Sequence, residues 1–416
     1  MKERKQIKLA VVVSNFPSMS QTFIALQLAE LAKQPDIDLT IFNLGSVGEF
    51  DWIPFGARDA LERVTIINLA DIKNDPGFKK KKPLLMLKVY ASYYQIQRTL
   101  KHLPEVELRR HMRRIVDFAY FCQIMDEFDL IHLQFSNHAS KFISMKKAGF
   151  ISQHPKLACS VRGFDISKES AIEGMNWEEL FEHFELFLPV CSFFEDILRS
   201  NGCDKNIRVT GSPINVEHIN NLQTSASDDK ESVKFISVGR LVEKKGIDVA
   251  IKACAKLIKD GVSFQYDIIG SGPLKQELED LTAQLGIIEH VRFHGGLPSQ
   301  KTMEKMSQAN VLLTPSKTAS DGDSEGIPNV LKEGMLLGIQ VATTQHSGIP
   351  ELVNNDIPLA REDDVNEFYD LLVSILNSRE QWDMRATENK RIINSLYSPE
   401  ATTETLINAY RETLAQ

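Results

Sequence analysis

Val233-Lys-Phe-Ile-Ser-Val-Gly-Arg-Leu-Val-Glu-Lys-Lys-Gly246 reads as a strand, a loop and the entry to a helix. The apolar run Val233 to Val238 has the length of a buried strand, and a helical pattern follows Gly246. Arg240 and Lys245 then fall on the loop after the strand, at the edge of an open α/β sheet where ligands bind. Four later segments repeat the pattern. Tyr266-Asp-Ile-Ile-Gly-Ser-Gly-Pro273, Val291-Arg-Phe-His-Gly-Gly296, Val311-Leu-Leu-Thr-Pro-Ser316 and Val341-Ala-Thr-Thr344 each read as a short buried strand ending in small or turn residues. Helical patterns separate them, and this alternation predicts a parallel sheet with helices on both faces.

Inside this half lies Ser324-Glu-Gly-Ile-Pro-Asn-Val-Leu-Lys-Glu-Gly-Met335. Gly326 permits a tight turn and Pro328 suits the first helical position, so a helix is expected from Ile327 or Pro328. Glu325 sits in the turn, and the helix carries Glu333 about 8 Å along its axis. One carboxylate is placed for a sugar and the other for a ribose. Between them, the backbone around Gly326, Ile327, Pro328, Asn329 and Val330 offers helix-start N–H groups and the positive dipole end to a diphosphate. An ordinary acidic capped helix reads the same way in isolation.

Taken in order, G-R-L-V-E-K-K-G, D-I-I-G-S-G-P-L, F-H-G-G, E-G-I-P-N-V-L-K-E-G-M and S-G-I-P-E at Ser347 to Glu351 resemble the donor half of the family-4 glycosyltransferases. These are retaining enzymes of the GT-B fold, an α/β architecture of two Rossmann-like domains whose parallel sheets face an interdomain cleft. The resemblance implies that Arg240 and Lys245 contact the donor diphosphate, Glu333 the ribose hydroxyls and Glu325 the hydroxyls of the transferred sugar. It places the base near Gly270, Ser271, Gly272 and Pro273 and near His294 and Gly295.

The first half begins with Ile7-Lys-Leu-Ala-Val-Val-Val-Ser14, a buried strand, then a loop and a helix expected from Phe23 to Lys33, capped by Ser18, Ser20 or Thr22. No G-x-G-x-x-G follows the strand, which argues against a dehydrogenase. The phrase S-N-F-P-S-M-S-Q-T-F-I resembles the start of a subgroup that builds bacterial exopolysaccharides of the colanic-acid type. Leu130 to Ser136, Leu157 to Asp165 and Leu186 to Ser192 each read as a strand ending in polar loop residues.

Two departures from the family pattern stand out. Many relatives carry histidine near the donor sugar where this chain has Arg162. Arginine stays charged and cannot accept a hydrogen bond, so Arg162 is read as a contact for a charged sugar, a phosphate or the acceptor, or else as a partner of Asp165 without a catalytic role. Gly334 stands where relatives commonly have alanine, which suggests close approach of backbone or ligand. His138, just past the strand at Leu130 to Phe135, is a further catalytic candidate, and His346 is placed to reach the nucleotide. His132 reads as a polar loop or packing residue rather than a metal ligand. Asp321-Gly-Asp323 reads as a turn rather than a metal pair, and with GT-B enzymes generally working without bound metal, no metal or other cofactor is expected.

Composition is that of a globular protein with ample core material, 43% hydrophobic and 25% charged, so disorder of the whole chain is excluded. The net charge of −8 carries no global nucleic-acid signal. No apolar run approaches the roughly 20 residues of a membrane span, and Met-Lys-Glu-Arg-Lys-Gln leads straight into a strand, so a cytoplasmic protein is expected, peripheral at the inner face of the membrane. Five scattered cysteines without C-x-x-C read as reduced packing residues.

The 416 residues suggest two or three domains, divided as 1–217 and 232–398 by a polar connection at Asn221 to Glu231. The resemblance implies that the first is an acceptor-binding domain and the second a nucleotide-sugar domain, and that a final helix, about Pro399 to Leu414 within 399–416, crosses back onto the first. Between Lys79 and Arg114 lies a basic region with leucines and tyrosines, which suits contact with anionic lipid. The reading is a metal-independent retaining hexosyltransferase. It moves a hexose from a nucleoside diphosphate sugar, a UDP-sugar first and GDP-mannose next, to a hydroxyl of a glycan or lipid-linked oligosaccharide. A GT-B UDP-sugar epimerase and a non-catalytic glycosyltransferase-like partner subunit are the alternatives.

Overall fold

The computed structural model describes residues 6–18, 21–54, 56–96, 105–173, 175–222, 232–353 and 357–416. Two parallel sheets organise it. The first contains β1 (Ile7–Val13), β2 (Ile37–Asn43), β3 (Thr65–Asn68), β4 (Leu130–Leu133), β5 (Lys156–Val161), β6 (Leu186–Pro189) and β7 (Asn206–Ile207), in the order β3-β2-β1-β4-β5-β6-β7. The second contains β8 (Val233–Val238), β9 (Phe264–Ile269), β10 (Val291–Gly295), β11 (Val311–Thr314) and β12 (Gln340–Thr343), in the order β10-β9-β8-β11-β12. Each order reverses once, between β1 and β4 and between β8 and β11, and such a reversal opens a crevice at the carboxyl ends of the strands.

The helices that bear on the site are α1 (Thr22–Ala32), α2 (Pro76–Ile96), α3 (Glu105–Met125), α4 (Ser192–Ser200), α5 (Ile247–Lys259), α6 (Asn329–Leu337) and α7 (Pro399–Ala415). Strand alternation divides the core cleanly. Ala10 and Val12 of β1 enter one cluster with Phe42, Phe121 and Leu133, whereas Leu9, Val11 and Val13 enter the other with Leu28 and Leu31 of α1. Each fully buried aliphatic side chain contributes about 1.5–3 kcal/mol. The second sheet is covered in the same manner, with Val311 and Leu313 on one face and Leu312 on the other. Among the described residues no helix is long and apolar enough to cross a membrane.

Helix α1 starts at Thr22 with Gln21 at its N-cap and no side-chain cap bond from it, so Thr22 is the first helical residue rather than the cap, and Ser20 lies outside the described residues. The chain turns in through the backbone instead, the Gln21 amide donating to the Ser18 carbonyl at 3.1 Å. Of the polar connection at Asn221 to Glu231, residues 223–231 lie outside the described residues, as do 97–104 of the basic region.

Helix α7 packs on the first sheet although it follows the second in the chain. Leu406, Ile407, Ala409 and Tyr410 join the cluster of Leu9 and Val11, and Ser398 caps the helix through the Ala401 amide at 3.1 Å. The Tyr410 hydroxyl meets His132 Nδ1 at 2.6 Å, and His132 Nε2 meets Ser160 Oγ at 2.8 Å, all in the interior. Burial, reinforced by the Arg162 charge, pulls the His132 pKa down to about 3. The unfolded chain therefore takes up a proton near pH 6.5 that the folded one refuses, and this histidine costs stability as pH falls from 6.5 toward 3. Urea unfolding across that range should show the decline, with a smaller slope in His132→Gln. Tyr410→Phe should lower stability at neutral pH by about 1–3 kcal/mol by stranding the buried imidazole.

Candidate functional site

The loops after β8 and β11 leave the second sheet on either side of its reversal, and they touch. Gly246 has φ +62°, and a Cβ there would fall 1.8 Å from the Pro315 carbonyl oxygen, so only glycine permits the approach. This contact brings Lys245 onto Glu325, with Nζ to Oε2 at 2.8 Å. Lys244 stands 4.0 Å from Glu325 Oε1 and 2.8 Å from Asp323 Oδ1. Burial pushes the Glu325 carboxyl up, but the two lysines outweigh it and hold the group below its ordinary value, so it is a carboxylate. The Glu325 amide donates to His346 Nε2 at 3.1 Å, and the other ring nitrogen meets Glu362 Oε1 at 2.8 Å. His346 is thus a buried support of the Glu325 loop.

Helix α6 begins one residue later than its pattern suggests. Pro328 has ψ 128°, an extended N-cap, and Asn329 is the first helical residue. Gly326 does not take a left-handed φ for a turn. A Cβ there would lie 2.9 Å from Val190 Cγ2 and 3.0 Å from Phe194 Cε2, so close approach to the first sheet's loops is what requires it. The Asn329 and Val330 amides take no hydrogen bond among the described residues, as expected of a first helical turn that can receive an anion.

The Glu333 side chain likewise has no hydrogen bond or ion pair among the described residues, and burial pushes its carboxyl up to about 7, with Lys332 and Lys245 pulling the other way. Gly334 accommodates β11 rather than a ligand, because a Cβ there would meet Leu312 Cδ2 at 2.7 Å. Arg240 is exposed and unpaired among the described residues. Beside it, the loops after β8, β9 and β10 form one edge. Gly239 N donates to Ile269 O at 2.9 Å, Leu241 N to Ser271 O at 2.9 Å, and Gly270 N to Gly295 O at 2.8 Å. His294 Nε2 is bound to Asp267 Oδ1 at 2.6 Å. The structure therefore gathers Arg240, Lys245, Glu325 to Val330 and Glu333 at one sheet edge, with Gly270 to Pro273, His294 and Gly295 next to them.

Arg162 and His138 come from the first sheet. The Arg162 guanidinium donates to Gln134 O at 3.1 Å, Gln134 Oε1 at 2.6 Å, Gln27 Oε1 at 3.3 Å and Ser212 Oγ at 3.2 Å, and it lies 4.8 Å over the Phe23 ring. Asp165 accepts from the backbone of Ser136, Arg162 and Gly163, so the Arg162–Asp165 partnership runs through the main chain and not through the guanidinium. Burial pulls the Arg162 pKa down to about 10, with Asp165 opposing. His138 Nε2 meets Ser14 Oγ at 2.7 Å, its Nδ1 has no partner among the described residues, and burial with the nearby Lys141 lowers its pKa to about 4. Asp321 is paired with Lys168 at 2.7 Å and Asp323 with Lys244, so the acidic loop is an ion-paired turn.

Motif reading missed Lys332. It is fully buried, donates to Ser212 O at 2.6 Å, lies 4.8 Å over the Tyr397 ring and is lowered by burial to about 7. Its place three and four residues before the core residues Met335 and Leu336 put it on the apolar stripe of the helix, and that spacing was the available signal.

The fold is shared with solved glycosyltransferases. A lipopolysaccharide outer core galactosyltransferase, WaaB, superposes with a TM-score of 0.65 over 98% of this chain and 99% of its own at 17% identity. Anabaena HepE in complex with UDP-glucose gives 0.65 over 98% and 100% at 13%. The architecture is the GT-B fold, two Rossmann-like parallel sheets with helices. Residues 220–392 match the family described as Glycosyl transferases group 1, and this stretch is a domain of that family. WcaL of Escherichia coli K12, named for colanic acid biosynthesis, is 37% identical over 203 residues, 48% of this chain and 50% of its own length. The amylovoran biosynthesis glycosyltransferase AmsK of Erwinia amylovora is 36% identical over 218 residues, 51% and 53%. The chain spans about half the length of these curated relatives.

The loop contact at Gly246 has a direct test. Gly246→Ala should cost more than the roughly 1–2 kcal/mol of a left-handed alanine, whereas Gly261→Ala, with φ +77° and nothing within 4 Å, should cost only that. Chemical denaturation of both variants measures the difference, and equal losses would contradict the contact.

Proposed function

We propose that the chain is a retaining glycosyltransferase that moves a hexose from a nucleoside diphosphate sugar to a hydroxyl of a glycan or lipid-linked oligosaccharide in bacterial surface polysaccharide synthesis. The observation that carries this reading is the Lys245–Glu325 contact beside Arg240, the Glu333 carboxyl and the Asn329 and Val330 amides of α6, none of which is paired among the described residues. Arg240, Lys245 and those amides meet the charge that develops on the diphosphate as the bond to the anomeric carbon breaks. Because these groups supply the positive charge, the proposed reaction needs no metal. Glu325 orients sugar hydroxyls and Glu333 receives the ribose. The acceptor oxygen bonds to the anomeric carbon on the face the leaving group vacates, and its proton passes to the departing phosphate oxygen, which gives retention.

The polysaccharide context is supported by the names of WcaL and AmsK. A UDP-hexose is the first donor to test. GDP-mannose follows, supported by a GDP-mannose-dependent mannosyltransferase of Mycolicibacterium smegmatis that is 32% identical over 119 residues, 28% of this chain and 31% of that protein.

The proposed place of action is the cytoplasmic face of the membrane. Helix α2 carries exposed Leu84 and Leu87, at 59% and 69%, beside exposed Lys79 to Lys82. A cationic helix with exposed leucines suits anionic lipid, each lysine near such a surface contributing about 1 kcal/mol.

A calorimetric and thermal-shift panel of UDP, GDP, UDP-glucose, UDP-galactose, UDP-N-acetylglucosamine and GDP-mannose, run with chelator, should show one base bound and Lys245→Ala weakening it. Glu325→Gln and Lys245→Ala should each reduce turnover at least about tenfold with the fold intact. Wild-type turnover in both would sink the assignment. In sedimentation with phosphatidylglycerol vesicles, replacing Lys79 to Lys82 by glutamate should release the protein, and unchanged binding would remove α2 from the membrane contact.

A further inference from the structure

The segment Ser347-Gly-Ile-Pro-Glu351 follows β12 and has no place in the donor chemistry above. Its glutamate reaches across to the first sheet's half of the molecule. Glu351 Oε2 accepts the Ser192 amide at 2.9 Å and Oε1 accepts the Phe193 amide at 3.1 Å. These are the first two residues of α4, whose N-cap, Cys191, provides no side-chain bond. The first turn of α4 is therefore capped from the other half of the protein, where a carboxylate also meets the positive end of the helix.

The surrounding packing shows a seated joint. A Cβ on Gly348 would fall 2.6 Å from Cys191 Cβ, so this backbone lies directly against the residue that precedes α4. Gly348 N donates to Gly326 O at 3.2 Å, which ties the segment to the loop of Glu325. That loop is itself held to the first half, with Ser324 N donating to Ser167 Oγ at 3.1 Å and Glu169 N donating to Asp321 O at 3.0 Å.

We propose that Glu351 is a positioning residue that clasps the two halves by capping α4 across the cleft, and so sets where the Glu325 loop stands over the reacting sugar. The effect on turnover rests on the function proposed above, whereas the clasp is read without activity. Glu351 is exposed, so its removal leaves no buried hole. The Glu351 carboxylate makes no hydrogen bond or ion pair with Arg240, Lys245 or Glu333 among the described residues, so nucleotide affinity is expected to stay within about twofold while turnover falls.

The experiment is amide hydrogen exchange on Glu351→Ala together with a double-mutant cycle against Ser192→Pro. Proline deletes one of the donated N–H groups from the other side, and it suits the first helical position after an extended Cys191 (ψ 161°). Exchange at Ser192, Phe193 and Glu325 should accelerate about tenfold or more in Glu351→Ala, and the thermal-stability losses of the two substitutions should be strongly non-additive. Exchange at wild-type rates at Ser192 and Phe193, or additive losses, would overturn the clasp. Acceleration confined to Ser192 and Phe193, with Glu325 unchanged and turnover retained, would overturn its link to the Glu325 loop. If the wild type transfers no sugar from any donor while exchange and coupling behave as expected, the functional reading fails and the clasp stands.

Discussion

The attraction between the Lys245 ammonium and the Glu325 carboxylate is the interaction around which the site is arranged. A largely buried pair of this kind adds little net stability, because loss of hydration offsets the attraction. What it does is hold two strand-end loops in one geometry before any ligand arrives. Lys244 shares the carboxylate, His346 holds the Glu325 amide from behind, and Glu362 holds His346. An oriented set of charges is what a leaving diphosphate requires, since it then meets groups that need no rearrangement.

A second constraint acts where the chain passes between the halves. Arg162 from the first sheet and Lys332 from α6 converge on one residue, Ser212, the former on its hydroxyl and the latter on its carbonyl. The amide of Ile214 donates to the Tyr397 carbonyl at 3.1 Å, so both passages of the chain are joined there. The two cations find amide and hydroxyl oxygens and aromatic faces in place of a carboxylate. The cost is visible in Lys332, lowered to about 7 by burial, and in its neighbour Glu333, raised to about 7 by the same surroundings. A carboxyl group so poorly hydrated gains more from ligand hydroxyls than one in water would.

Much of this could be read along the chain. Apolar runs ending in glycine or polar residues marked β1 and β8 to β12 because a strand buried on both faces must be apolar throughout. Arg240, Lys245, Glu325 and Glu333 were legible because each lies within a few residues of a strand end or helix start. Pro328 shows the limit of that reasoning, since its fixed φ suits an N-cap as well as a first helical residue, and the contacts of the preceding loop selected the cap. Gly326 was read for a tight turn and Gly334 for close approach of backbone or ligand, whereas side-chain neighbours are what exclude a Cβ at both. A glycine announces that something comes close, and only the folded chain shows that it is Val190 and Phe194 in one case and Leu312 in the other.

By itself, then, the amino-acid sequence determined the α/β alternation, the parallel strands and the charged and polar groups that stand at the strand ends, because periodicity and strand-end chemistry are local properties. The tertiary structure alone decided which of those groups are engaged and by whom. Arg162 is taken up by Gln27, Gln134 and Ser212, Lys332 by Ser212 and Tyr397, and Glu351 by a helix more than a hundred residues away. Hydrogen bonds and ion pairs act over a few ångströms, and the packing of two sheets, not distance along the chain, sets which residues come within that range.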